Sequence, residues 1–181
     1  MSNSDASFSA RLYKTEQFCA GLHTLLIIMS WLKLFADAQG FVLNNEFYPR
    51  EFTISDGNNF LSYEVDVGVE QNPQDILQTG MVRRYVHGLP RRTDKWKPSI
   101  PASAFLEVLK GVYKRLAGSE QFRVAVNNNH LAGVFRKLEI PVVDVFVPTD
   151  QKLENACELH AFSTAKCSIA KCKRLYKYLK D

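Results

Sequence analysis

The sequence predicts an α/β domain, a mixed sheet flanked by helices, on three observations. Pro49–Ser55 and Phe60–Val67 alternate apolar and polar residues on either side of Asp56-Gly57-Asn58-Asn59, which reads as a hairpin. Downstream, an amphipathic helix, a strand, a short helix and a second strand follow one another between residues 98 and 147. A last helix starts near Cys167 and runs through Leu175, Tyr178 and Leu179. A hairpin followed by alternating helices and strands is an α/β layout.

Length and composition bound the chain. Its 181 residues suit one domain, here residues 46–181, with an added N-terminal arm. An apolar share of 46% and an aromatic share of 12% are enough to build a core, which excludes bulk disorder. The net charge of +4 and pI of about 8.9 permit a nucleic-acid partner without requiring one. Four cysteines in a chain of this length do not make a disulfide scaffold.

The elements follow in order. Residues 1–16 are small and polar without period, a mobile start. Residues 17–38 form an almost all-round apolar run from Phe18 through Leu25, Leu26, Ile27, Ile28, Trp31, Leu34 and Phe35, and an extra N-terminal apolar helix is expected over 17–40. Three readings stand side by side for it: a helix packed on the domain, a membrane anchor interrupted by His23 and Lys33, or a signal peptide with Ala36-Asp37-Ala38 as its small-residue cleavage site. After the hairpin, residues 68–80 read as loop. Met81–Arg92 reads as a short strand or helix stopped by Gly88 and Pro90. Ser99 or Ser103 is placed to cap the next helix. Its apolar face is Phe105, Leu106, Val108, Leu109, Val112, Tyr113 and Leu116, and Gly118 ends it. Phe122–Val126 is a strand, Asn127-Asn128-Asn129 a turn, His130–Leu138 a short helix and Ile140–Val147 a buried strand.

Two stretches carry candidate chemistry. Arg83, Arg84, Arg91, Arg92, Lys95 and Lys97, interleaved with Tyr85 and Trp96, form the densest basic–aromatic segment, of a kind that grips phosphates and stacks bases. The bland alternative is a solvated loop. In the last quarter, Cys157-Glu158-Leu159-His160 and Cys167 bring three borderline-to-soft ligands within short reach, which suits tetrahedral zinc with one ligand outstanding. Cys172 is the nearest local fourth ligand and Glu51 a remote one.

The order of elements resembles the ribonuclease H-like fold of the DEDDh exonucleases, and more closely the Maelstrom-type domain. Four stretches carry the resemblance: Pro49-Arg50-Glu51-Phe52, Val86-His87-Gly88-Leu89, Cys157-Glu158-Leu159-His160 and Cys167-Ser168-Ile169-Ala170-Lys171. The resemblance implies a closed, structural Glu-Cys-His-Cys zinc site made of Glu51, Cys157, His160 and Cys167. It also implies single-stranded RNA or RNA-silencing (piRNA-type) proteins as partners, in cytoplasmic granules beside the nucleus or in the nucleus itself.

A DEDDh nuclease needs Asp-x-Glu on its first strand and a late His-x4-Asp, whose carboxylates hold two Mg²⁺ ions. Glu51-x-Thr53 is not that pair, His160-x4 reaches Ala165 rather than an aspartate, and Lys171 falls where the last aspartate is expected, where a cation repels a metal. The expectation is therefore a module without two-metal catalysis. Two alternatives remain: a metal-independent RNA endonuclease using His87 with its neighbouring arginines, and a membrane-tethered interaction module anchored through residues 17–38.

Overall fold

The computed structural model describes residues 32–68, 72–89, 98–148 and 167–180. The readings of residues 1–16 and 17–31, of Arg91, Arg92, Lys95, Trp96 and Lys97, and of Cys157 and His160 lie outside the described residues. Contacts divide the chain at Leu32, and the unit Lys33–Asp181 carries the fold.

The first element corrects the sequence reading. Leu32–Leu43 is a strand, β1, so residues 32–38 do not continue an apolar helix, and the domain begins well before residue 46. The physical reason is alternation. Leu34, Ala36 and Ala38 face the main core while Phe35, Asp37 and Gln39 face the other way, a period of two that a helix cannot satisfy. Asn44 and Asn45, with φ of 50° and 62°, make a two-residue turn into β2 (Glu46–Ser55). Paired positive φ angles match the twist of a hairpin, and asparagine tolerates them best after glycine. Glu51 thus lies on the second strand rather than the first.

β3 (Phe60–Asp66) pairs antiparallel with β2 across the expected turn. There Asp56 Oδ1 accepts the N–H groups of Asn58 and Asn59 at 2.9 and 2.7 Å, and those bonds hold its carboxyl below the usual range. The expected loop 68–80 is largely helix: α1 spans Pro73–Val82, capped by Asn72, whose side chain accepts from the Asp75 N–H at 2.8 Å. Pro73 at the first helical position and Asn72 before it are the start signals.

Ile100–Pro101 forms a short β4, parallel to β3. Then come α2 (Phe105–Ala117), β5 (Arg123–Val126), α3 (Asn129–Lys137), β6 (Val142–Asp144) and α4 (Ser168–Lys180). Neither Ser99 nor Ser103 caps α2. A 3₁₀ turn over Ala102–Ala104 leads into it, and Gly118 ends it as expected. The strand expected over 140–147 pairs only at Val142–Asp144.

The strands form one six-stranded mixed sheet in the order β4-β3-β2-β1-β5-β6. β1 and β2 are therefore central. One face of the sheet meets α2 and α3. Leu34, Ala36, Ala38, Phe52, Ile54, Val65, Val124 and Val126 pack there on Phe105, Leu109, Val112, Leu131 and Phe135. Each fully buried leucine or phenylalanine contributes about 1.5–3 kcal/mol, so this layer supplies most of the stabilisation. Among the described residues, no helix is long and apolar enough to cross a membrane.

Candidate functional site

The other face of the central strands is buried but polar. Asp37, Gln39, Glu51, Thr53 and Ser55 are all at most 6% exposed. Cross-strand register arranges them in rows. Gln39, Glu51 and Glu64 lie abreast, then Asp37, Thr53 and Ser62, then Phe35, Ser55 and Phe60. Neighbours within such a row have Cβ atoms about 4.5–5.5 Å apart. A β-bulge between Gln39 and Gly40 leaves Arg50 as the extra residue of β2. Arg50 reaches across so that its Nη1 and Nη2 both donate to Glu64 Oε2 at 3.2 Å.

α4 closes this face. Cys167, immediately before the helix, brings its Sγ to 3.8 Å from Glu51 Oε1. Ser168 Oγ lies 2.6 Å from Thr53 Oγ1, which also donates to Ser62 Oγ at 3.1 Å. Cys172 Sγ donates to the Phe35 carbonyl at 3.3 Å. The Tyr176 ring meets Phe35 edge-on at 5.1 Å. The start of the helix thus meets the Glu51 and Thr53 rows, and its next two turns meet Phe35.

The electrostatics centre on Asp37. Burial pushes its carboxyl up to about 7, against the opposing pull of the Lys171 ammonium and the Gln39 amide, which donates to Asp37 Oδ1 at 3.1 Å. Glu51 adds a smaller push upward, and Arg174 a smaller pull downward. The Nε of Arg174 is buried with no hydrogen-bond partner among the described residues. Burial, with Asp37 nearby, also pushes the Cys172 thiol well above its ordinary value, so this sulfur is a neutral donor and not a thiolate.

Several sequence-predicted residues can now be placed. Glu51 and Cys167 come together although 116 positions separate them. Two ligands of one tetrahedral zinc, about 2.3 Å away for sulfur and about 2.0 Å for oxygen, stand about 3.5 Å apart, and the observed 3.8 Å fits that spacing. Cys172 instead points at the backbone of β1. Among the described residues, no three of His, Cys, Asp and Glu gather in metal-binding geometry. Cys157 and His160 lie outside those residues. Arg83 and Arg84 are exposed on a π-helical turn, Arg83–His87, that extends α1, with the Arg84 guanidinium 5.5 Å from the Tyr85 ring centre. Asp144 is exposed and ion-paired with Arg136.

Two residues of the polar face were missed in the sequence. Asp37 and Gln39 sit on the central first strand as Asp-x-Gln, hidden because residues 32–40 read as the end of the apolar helix. The available signal was their alternation with Leu34, Ala36 and Ala38, and a carboxylate inside an otherwise apolar run.

Comparison with protein-family models, with curated proteins and with solved structures finds no match to this chain.

Proposed function

We propose that this chain is a catalytically inert, ribonuclease H-like module of the Maelstrom type. In this reading a structural zinc at Glu51, Cys157, His160 and Cys167 ties the sheet to the C-terminal helix, and the module acts by binding single-stranded RNA in RNA silencing. The observation that carries the reading is the buried approach of Cys167 Sγ to Glu51 Oε1 at 3.8 Å. A first strand in the middle of a mixed sheet, with the C-terminal helix on its face, agrees with it.

The residues of the polar face speak against two-metal nuclease chemistry. Where such an enzyme needs two carboxylates on its first strand, Asp37 is followed by the neutral amide of Gln39. Lys171 then supplies positive charge to Asp37, the role a metal ion would otherwise fill. A sheet face of valines and isoleucines would be more stable here than buried carboxylates, since an ionic group loses several kcal/mol of solvation on burial. Its polarity fits descent from an active site.

For RNA, the exposed Arg83 and Arg84 with Tyr85 supply phosphate-binding cations and a stacking ring. A filter-binding assay on single-stranded RNA tests this. Binding that is insensitive to EDTA on the assay timescale, with the RNA intact and affinity weakened in Arg83→Ala/Arg84→Ala, is the expected result. RNA cleaved in EDTA would favour a metal-independent endonuclease, and unchanged affinity in the double variant would remove this segment from the RNA interface.

A further inference from the structure

Helix α1 is built the wrong way round for a core helix. Its buried positions are Asp75 and Thr79. They are held by local bonds: Asn72 Nδ2 donates to Asp75 Oδ2 at 3.0 Å, and Thr79 Oγ1 donates to the Asp75 carbonyl at 2.7 Å. The outward positions are apolar. Ile76 is 55% exposed, Leu77 71%, Met81 64%, Tyr85 64% and Val86 47%. Single exposed apolar side chains are ordinary on any protein surface. Here five of the eight large ones exposed among the described residues fall within Ile76–Val86, and such clustering marks an interaction surface.

We infer that this face docks an acidic amphipathic helix of a partner protein. Leu77, Met81 and Tyr85 stand at i, i+4 and i+8, one continuous ridge of the kind that packs into the groove of a second helix. Gly80 lies beside the ridge with open space in front of it, so a neighbouring helix can approach closely there. With the π-helical turn, Pro73–His87 gives a docking length of about 22 Å.

Charge chooses among occupants. Arg83 and Arg84 are exposed at the C-terminal end of the ridge, while the only carboxylate among residues 72–89, Asp75, is buried and bonded to Asn72. A second copy of this helix therefore offers those arginines no acid and brings like charge to them. A helix with glutamates flanking an apolar stripe supplies both what the ridge and what the arginines lack. Ile76, Leu77 and Met81 have no ring on which a base stacks, so RNA does not account for this part of the face. The inference does not depend on zinc or on RNA binding.

The test uses the full chain and two labelled synthetic helical peptides, one with leucines along one face flanked by glutamates, the other identical with lysines in their place, read by fluorescence anisotropy. The acidic peptide is expected to bind at least about tenfold more tightly than its lysine counterpart. Leu77→Glu/Met81→Glu is expected to abolish that preference while leaving the thermal melt unchanged, because both side chains are exposed in the chain alone. Equal binding of the two peptides, or binding of neither, overturns the inference. So does a dimer that Leu77→Glu converts to monomer, which assigns the face to a second copy. Protection of Met81 from oxidation in the monomeric chain assigns it to another segment of this chain. RNA binding lost in Leu77→Glu/Met81→Glu assigns it to RNA. Arg83→Ala/Arg84→Ala is expected to lose the acidic-peptide preference, because these are the cations of the face; a preference retained without them overturns the inference.

Discussion

Cys167 Sγ approaches Glu51 Oε1 to 3.8 Å across a buried sheet face, joining β2 to the start of α4. Cys172, five residues further on, donates instead to the Phe35 carbonyl at 3.3 Å. The two cysteines are thus directed to different strands. If zinc joins the first pair, Glu51→Ala and Cys167→Ala should purify with well under one equivalent of the metal, and Cys172→Ala with the wild-type content. Metal analysis of the three purified variants checks this. Zinc lost from Cys172→Ala and kept by Glu51→Ala would reverse the ligand assignment. Because ligation and folding of such a site are linked, chelation should also lower the wild-type melting temperature and leave that of Glu51→Ala nearly unmoved.

The ion pair at the bulge allows a sharper stability prediction. The side chain of Arg50 is 3% exposed and that of Glu64 14%, and two guanidinium nitrogens share one carboxylate oxygen at 3.2 Å. Removing one partner of a buried pair strands the other charge, which costs about 3–5 kcal/mol. Arg50→Ala should therefore lose about that much in urea unfolding, and Arg50→Ala/Glu64→Gln should recover part of it. A double variant no better than the single would show that Arg50 acts through packing rather than through Glu64.

Two glycines mark where backbones and rings approach too closely for a side chain. A Cβ on Gly40 would stand 2.7 Å from Pro49 Cα and meet the Tyr48 carbonyl, both backbone groups of the paired strand. At Gly57, with φ of +96°, it would lie within 2.9 Å of the Tyr176 ring that packs on Phe35. A ring can rotate away, but a paired strand cannot. Gly40→Ala should thus be the worse variant, losing on the order of 3–5 kcal/mol, and Gly57→Ala about 1–3 kcal/mol, as read by thermal or urea unfolding.

How far the fold could be read from the sequence depended on which signals were local. The hairpin at Asp56–Asn59, the amphipathic α2 and the capped α3 rest on turn chemistry and period within a few residues, and those elements are present. β1 was obscured because the apolar run preceding it has no break, so a strand with alternating burial joined what reads as a helix. Asn44-Asn45 was the missed turn signal. α1 was hidden for the opposite reason: its apolar side faces out, and its buried side carries Asp75 and Thr79, which no hydrophobic pattern reveals. The Glu51–Cys167 approach came from resemblance and not from spacing, since a distance of 116 residues leaves no local trace. Asp37 and Gln39 went unseen because their role depends on a strand that had not been recognised.

Asp37 makes stability depend on pH in a direction opposite to the usual carboxylate. Burial raises its pKa from 3.8 to about 7, with Lys171 opposing the shift. Between those values the folded chain holds a proton that the unfolded chain releases, so this group's contribution is fully present below about pH 4 and is lost as pH rises through about 7. The size is on the order of 3–5 kcal/mol. Asp37→Asn keeps the shape and removes the titration. The stability of wild type minus that of Asp37→Asn, measured by urea unfolding at intervals from pH 4 to 8, should therefore fall steadily and level off above pH 7, with the variant the more stable at pH 8. Lys171→Met takes away the largest opposing cation and should move the levelling point to higher pH. A difference that stays flat from pH 4 to 8 would mean that Asp37 is ionised throughout, held by Lys171 and Arg174 as a buried salt bridge, and the polar face would then carry a fixed negative charge beneath α4.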